Sequence, residues 1–362
     1  MTAIPRLLVA AAGIGFLAAC APDSGSKGST TGAAAGAGSG IALTGAGASF
    51  PQPIYNKWFS DYAAAKGVKI NYQSIGSGGG VRQISEQTVD FGASDAPMSD
   101  EEMSRAKGGP ILHIPTVLGA DVITYNVPGV PAQLKLTGPV IADIFLGKIK
   151  KWNDPRIATL NPGAALPNSD MLVVHRSDGS GTTFIFSDYL SAVSPEWARV
   201  VGKGKEVKWP TGIGAKGNEG VAGQVKQTPG TIAYVELAYA KQNNLAYASI
   251  QNAAGNFVQP TLETIYAAAE SAAPNIPANT DYRISIVNAP GANAYPIASF
   301  TWLLVYKNPS DPAKARLLTD FLRWALTDGS AAARALDFGP LPPAMAERLK
   351  ARIDSIAPGS GT

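Results

Sequence analysis

Met171-Leu172-Val173-Val174-His175-Arg176-Ser177-Asp178-Gly179-Ser180-Gly181-Thr182-Thr183-Phe184 is the stretch from which the fold is read. An apolar run of strand length ends at Arg176. A serine- and glycine-bearing turn follows, and a helix is expected from Thr182 to about Leu190. Strand, turn and helix start, in that order, bring a cation, hydroxyl groups and unpaired backbone N–H groups to one point. Helix N-termini carry free donors and the positive end of the helix dipole, so an anion with several oxygens suits such a point.

Two further turns share this design. Thr44 to Phe50 and Ile75 to Gly80 each follow a strand candidate, carry glycine with serine or threonine, and precede a helix. Glycines let the backbone approach closely and turn its N–H groups inward. A single turn of this kind is ordinary helix capping. Three of them, with Arg176 and Asp95 at strand ends, point to one shared anion. Asp178, two residues after Arg176, is placed to hold the guanidinium. Asp95 is placed to accept a hydrogen bond from a protonated ligand oxygen. Phosphate carries such a proton near neutral pH and sulfate does not, and a missing designed hydrogen bond in a closed site discriminates by roughly 10⁴–10⁵.

The surrounding pattern is α/β. Leu43 onward, Val68 to Tyr72, Asp90 to Ser94 and Thr231 to Val235 read as strands, with helical spacing between them (Ile54, Tyr55, Trp58, Phe59 and Tyr62; Val81, Ile84 and Val89). Ser99 with Glu102 is a capping box. Pro139 to Leu146 reads as a helix, and Asp311-Pro312 opens another with Leu317, Leu318, Phe321, Leu322 and Ala325 on one face. Alternating strands and helices imply mixed sheets flanked by helices on both faces, with ligands beyond the carboxyl ends of strands. Two long apolar stretches, Ile111 to Tyr125 and Ile297 to Tyr306, are suited to cross between two lobes. The expected division is residues 41–117 with 295–362 as lobe I and 118–294 as lobe II.

Composition narrows the partners. The 362 residues carry a net charge of +3 with no basic run, which excludes a nucleic-acid footprint. Cys20 is the one cysteine, so no intramolecular disulfide forms. Arg6, the apolar segment Leu7 to Phe16 and Leu17-Ala18-Ala19-Cys20 read as a signal peptide over residues 1–19, ending in a sequence that resembles a lipobox. Cys20 is then the lipidation site, and residues 20–40, built from Gly, Ser, Ala and Thr, form a flexible tether.

An enzyme is not expected. His113 and His175 have no metal-ligand neighbours at useful spacing. Neither Ser77 nor Ser180 sits in a Gly-x-Ser-x-Gly elbow. Gly212-Ile213-Gly214-Ala215-Lys216-Gly217 spells a dinucleotide-binding pattern, with Glu236 at about the right distance, but it follows Trp209-Pro210 rather than a clean strand and reads as a loop.

Several stretches resemble the phosphate-binding proteins of bacterial high-affinity phosphate ABC transporters, a family of type II periplasmic-type binding proteins. They are Thr44 to Pro51, Gly76 to Val81, Val89 to Pro97, Leu146 to Trp152, Arg176 to Thr182, Tyr234 to Glu236 with Ala238 to Ala240, and Asp337 to Pro342. The resemblance implies a two-lobed fold with a hinge, no cofactor, no catalysis, and a monomer delivering phosphate to a permease and ATPase complex. It implies that Ala48, Ser49, Phe50, Ser77, Asp95, Arg176, Ser180, Gly181 and Thr182 bind phosphate, with Asp178 in support. Ser49 would donate its hydroxyl, Phe50 its N–H, and Asp95 would take the phosphate proton. The family pattern departs at Gly78, where a second serine is common, and at His175, where a second arginine often stands. Another oxyanion, or phosphoester hydrolysis, is the alternative. The location implied is outside the cytoplasmic membrane, held there by the lipid on Cys20.

Overall fold

The computed structural model describes residues 40–130, 133–277 and 280–357; the expected signal peptide, Cys20 and nearly all of the tether lie outside them. The chain runs β1 (Leu43–Gly47), α1 (Gln52–Lys66), β2 (Ile70–Ser74), α2 (Ser77–Ser85), β3 (Phe91–Ser94), α3 (Asp100–Ser104) and β4 (Ile111–Asn126). It continues through β5 (Lys135–Leu136), α4 (Gly138–Phe145), α5 (Pro155–Leu160), β6 (Leu172–Arg176), α6 (Gly181–Val193) and α7 (Pro195–Val200). Then come β7 (Ile213–Ala215), α8 (Gly217–Gln227), β8 (Thr231–Glu236), α9 (Leu237–Gln242), β9 (Ala246–Tyr247), β10 (Ser249–Gln251), β11 (Phe257–Val258) and α10 (Leu262–Ala272). It closes with β12 (Ala298–Tyr306), α11 (Pro312–Leu326), α12 (Ser330–Ala335) and α13 (Pro343–Asp354).

Among the described residues the main strands follow the order β2-β1-β3-β12-β4-β8-β6-β7. β4 joins two halves. Its residues Ile111 to Ala120 pair antiparallel with β12, and Asp121 to Asn126 pair antiparallel with β8. Beyond β12 lie β3, β1 and β2, with β1 parallel to both neighbours. Beyond β8 lie β6 and β7, also parallel. The two apolar stretches expected to be long strands are these two, and they run side by side. β4 is buried along almost its whole length, with α6, α8, α9 and α10 packed near it. Pro115 sits inside it without an N–H to give to the ladder. The pairing shifts there, leaving Thr116 as the extra residue opposite Thr301 and Trp302, and a bulge is where a sheet tolerates proline.

The helices form as their sequence spacing dictates. Ile54, Tyr55, Trp58, Phe59 and Tyr62 put one aromatic face of α1 into the core, and Gly67 ends the helix in the left-handed region. Ser99 and Glu102 make the full capping box of α3. Asp311 caps α11, whose Leu318, Phe321, Leu322 and Ala325 are buried, while Leu317 stays half-buried. Two expectations are overturned. α2 ends at Ser85, so Val89, read as part of its helical spacing, lies in the bend before β3. The segment read as a loop around Gly212 to Gly217 is β7 followed by α8. β7 has three residues at the sheet edge and leaves Ile213 exposed, so it carries no apolar run to betray it.

The packing of α2 against β1 and β3 depends on Gly80. A Cβ there would meet the carbonyls of Ala93 and Ala46 and the Cα of Gly47. Gly80→Ala should therefore destabilise the protein by about 1–3 kcal/mol through overpacking. Gly223 in α8 has open space around it, and Gly223→Ala should stabilise by about 0.4–1 kcal/mol. Urea unfolding of the two variants checks both signs.

Candidate functional site

Four strand-to-helix turns meet near the point where β4 changes partners. The first, between β1 and α1, carries Ala48, Ser49 and Phe50, all buried. The Ala48 N–H donates to Ala93 O at 3.0 Å, so Ala48 shapes the turn without offering a free donor. The second, between β2 and α2, begins at Gly76, whose φ of 84° suits glycine, and a side chain there would collide with Asp178 and Gly179 from the other half. Ser77 opens α2. The third, between β6 and α6, carries Arg176, Asp178, Ser180, Gly181 and Thr182. The fourth, between β7 and α8, carries Gly217 and Asn218.

Arg176 is the buried cation of this group. Its Nε and Nη2 donate to Asp178 Oδ1 and Oδ2 at 2.7 and 2.6 Å, a two-pronged pair. Its Nη1 donates to Thr182 Oγ1 at 3.2 Å, and its backbone N–H donates to Tyr234 Oη at 3.1 Å. Asp178 also accepts the N–H of Gly217 at 3.1 Å. Burial works to raise the Asp178 carboxyl, yet the guanidinium outweighs it and holds the group below its usual range. Ser180 caps α6 by accepting the Thr183 N–H at 3.0 Å, which leaves its own hydroxyl hydrogen to donate.

Asp95, at the end of β3, is buried with two hydroxyl donors on its carboxylate. Thr301 donates to Oδ1 at 2.7 Å and Ser77 to Oδ2 at 3.3 Å, while the Asp95 N–H donates to Ser77 Oγ at 3.1 Å. Burial pushes the carboxyl up to about 7, against the downward pull of the Thr301 hydroxyl, the Arg176 charge and the Ser77 hydroxyl. Gly181 faces this pair so closely that a Cβ on it would run into Ser77 Oγ and Asp95. Ser77, Asp95, Arg176, Gly181 and Thr182 thus lie in one cluster. Ser49 joins it through Asn218, which donates to both Ser49 and Thr182.

Sequence reasoning gave no site role to Asn218, Tyr239, Tyr234, Thr301, Asp121 or Glu236. Asn218 bridges the two halves. Tyr239 donates to Ser49 O at 2.6 Å, and Tyr234 binds the Arg176 backbone and Thr183. Thr301 holds Asp95. Both tyrosines sit in stretches that carried the family resemblance, which was a usable signal; Thr301 lies in an apolar run with none. Asp121 went unnoticed, and Glu236 was noted only for its distance from the Gly212-to-Gly217 pattern and within a stretch that resembles the family. They are paired across β4 and β8, both are buried, and among the described residues neither Asp121 carboxyl oxygen nor Glu236 Oε1 has a hydrogen-bond partner. Burial raises both carboxyls well above their usual range. The two histidines are packing residues. His175 stacks on Trp209 with centroids 4.8 Å apart, and His113 Nε2 accepts the Met98 N–H at 3.0 Å. Among the described residues no cluster of histidine, cysteine or carboxylate groups fits a metal ion.

Two half-sheets joined through one long strand, with donors and a guanidinium gathered at the join, define a solute-binding protein of the periplasmic-binding type. The chain matches the PBP superfamily domain over residues 25–329. It is 51% identical over 311 residues to the phosphate-binding protein PstS of Pasteurella multocida, covering 86% of this chain and 89% of that one. It is 45% identical over 302 residues to PstS of Methanocaldococcus jannaschii, covering 78% of each. Among solved structures it shares the fold of a high-affinity periplasmic phosphate-binding protein bound with phosphate, with a TM-score of 0.67 at 22% identity over 86% of this chain and 93% of that one. A putative phosphate ABC transporter substrate-binding protein with bound phosphate from Clostridium perfringens matches with a TM-score of 0.62 at 15% identity, over 83% of this chain and 100% of that one. The chain belongs to the PBP superfamily and, within it, to the PstS family of phosphate-binding proteins.

The Asp95 carboxyl gives a pH test. The folded protein holds this proton above the pH at which an unfolded aspartate loses it, so native stability falls as pH rises between about 4 and 7. Asp95→Asn removes that titration. The melting temperature of the unliganded variant minus that of wild type should rise from pH 4.5 to pH 7.5, and thermal scans across that window read the slope.

Proposed function

We propose that this protein captures inorganic phosphate outside the cytoplasmic membrane and delivers it to the permease and ATPase of an ABC importer. The observation that carries the reading is the cluster itself. Hydroxyls and helix starts from both halves surround one buried guanidinium, and one buried carboxylate, Asp95, can accept a proton from the guest. PstS relatives at about half identity, named as phosphate-binding proteins, support it. In this reading Ser49 and Ser77 donate hydroxyls, Phe50 donates its N–H, and Ser180, Gly181 and Thr182 donate from the start of α6. Arg176 supplies charge, aligned by Asp178, and Asp95 selects phosphate over sulfate. The Ala48 turn sets the approach of Ser49.

Lobe I is residues 41–117 with 295–362 and lobe II is 118–294, with β4 as the main link. The lobes close on the ion by hinge motion. The protein acts as a monomer and carries out no chemistry on its ligand. A signal peptide over residues 1–19 and a lipid on Cys20 hold it at a membrane through the tether of residues 20–40. The sequence before Cys20 supports this anchor, which lies outside the described residues.

Calorimetric titration of phosphate-stripped protein should give one site with a dissociation constant of about a micromolar or tighter, and no comparable heat with sulfate. Arg176→Ala should weaken phosphate binding at least tenfold, and Asp95→Asn should narrow the gap between phosphate and sulfate. Absence of phosphate binding, or steady release of phosphate from a model ester, would contradict the reading. For the anchor, Cys20→Ser should shift the mature protein from the detergent phase to the aqueous phase on Triton X-114 partitioning of expressing cells.

A further inference from the structure

Two successive carbonyls in the turn between β1 and α1 each accept a tyrosine hydroxyl at 2.6 Å. Ala48 O takes the hydroxyl of Tyr72, and Ser49 O takes that of Tyr239. The bonds are alike in chemistry and length but not in origin. Tyr72 lies on β2, in the same half as the turn, whereas Tyr239 lies on α9, which follows β8 in the other half. Ser49 O also accepts the Gln52 N–H at 3.1 Å, so both lone pairs of this carbonyl are filled. The Tyr239 side chain is buried, and its hydroxyl has Gln52 Oε1 at 3.2 Å as a second acceptor.

Ser49 is held from the far half at its side chain as well. Its Oγ accepts the Asn218 backbone N–H at 3.2 Å and Asn218 Nδ2 at 3.0 Å. Three bonds from the second half therefore converge on one residue of the first, and none of them passes through a guest. Parting the halves at this point breaks all three. The Tyr72 bond survives such a movement, because both of its ends travel together.

We infer that Tyr239 is a positioning residue that sets how long the closed halves keep their guest. With Asn218 beside it, it ties the Ser49 turn to the second half independently of the ion. Release then waits on protein–protein bonds as well as on bonds to the ligand. Tyr72 makes the same bond one carbonyl earlier, and it shapes the turn without bearing on opening. The inference rests on the reading that the halves close on phosphate.

Rapid mixing with inorganic phosphate measures the association rate, and adding an excess of a phosphate trap to the loaded protein measures release. Tyr239→Phe deletes one hydroxyl and should speed release about three- to tenfold, with association changed by less than about twofold. Tyr72→Phe is the internal reference. It should lower the melting temperature of the ligand-free protein and leave release within about twofold of wild type. A purely structural role for Tyr239 would make its variant behave like that of Tyr72. If Tyr239→Phe does not fold, Asn218→Ala, which removes another of the three ties, should speed release in the same way. Unchanged release in these variants, a loss confined to association, or equal acceleration in Tyr72→Phe would overturn the inference while phosphate binding by wild type stands. If wild type itself binds no phosphate, the functional reading falls first and this falls with it.

Discussion

A buried guanidinium must be neutralised and fully hydrogen-bonded, or its desolvation cost is prohibitive. Arg176 meets that demand inside its own turn, through both oxygens of Asp178. Much of the surrounding architecture follows from this pair. Asp178 is in turn fixed by the Gly217 N–H, which draws the start of α8 inward, and α8 carries Asn218. Tyr234 pins the arginine backbone from β8. The pair is close to neutral overall, so the cation works by direction as much as by charge. With Nε and Nη2 committed to Asp178, Nη1 is turned toward Thr182 and the cluster.

The halves meet across this cluster largely through backbone and short side chains. The Gly78 N–H donates to Gly179 O at 2.8 Å, Asn218 reaches Ser49, and Tyr239 reaches the Ser49 carbonyl. Ion pairs such as Lys205 with Glu102 and Lys241 with Asp337 lie further out and are partly exposed. Exposed pairs contribute about 0–1 kcal/mol each, so the buried polar bonds dominate the seam. The same buried region holds three carboxyls, Asp95, Asp121 and Glu236, all pushed upward by burial. Asp121 and Glu236, pushed furthest and short of donors, hold protons there, which removes the repulsion they would add to an anion and leaves Asp95, with its two hydroxyl donors, as the acceptor.

Much of this was legible in the sequence. β4 and β12 announced themselves as long apolar runs, and the Met171-to-Phe184 stretch showed strand, turn and helix start within fourteen residues. The three small turns were recognisable because glycine, hydroxyl and helix start recur in each. What stayed hidden was long-range or too short to have a period. β7 is three residues at an edge, so the turn into α8 looked like a loop. Asn218 and Thr301 act on partners far along the chain, Thr301 being 206 residues from Asp95, and nothing local marks them. Ala48 entered only through the family resemblance, and its amide is already bonded to Ala93 O, which the sequence did not reveal.

Gly78 and Gly179 approach so closely that a side chain on Gly78 would press on the Gly179 backbone, and one on Gly179 would press back on Gly78 and on Glu206. At Gly78 the neighbour is backbone alone, whereas at Gly179 the first neighbour is the end of the Glu206 side chain, which can turn aside. A larger residue at Gly78 would therefore press the two half-sheets apart where they touch. The 2.8 Å bond from the Gly78 N–H to Gly179 O thus depends on the absence of a side chain beside it, and a methyl group at Gly78 would lengthen that backbone bridge over the cluster.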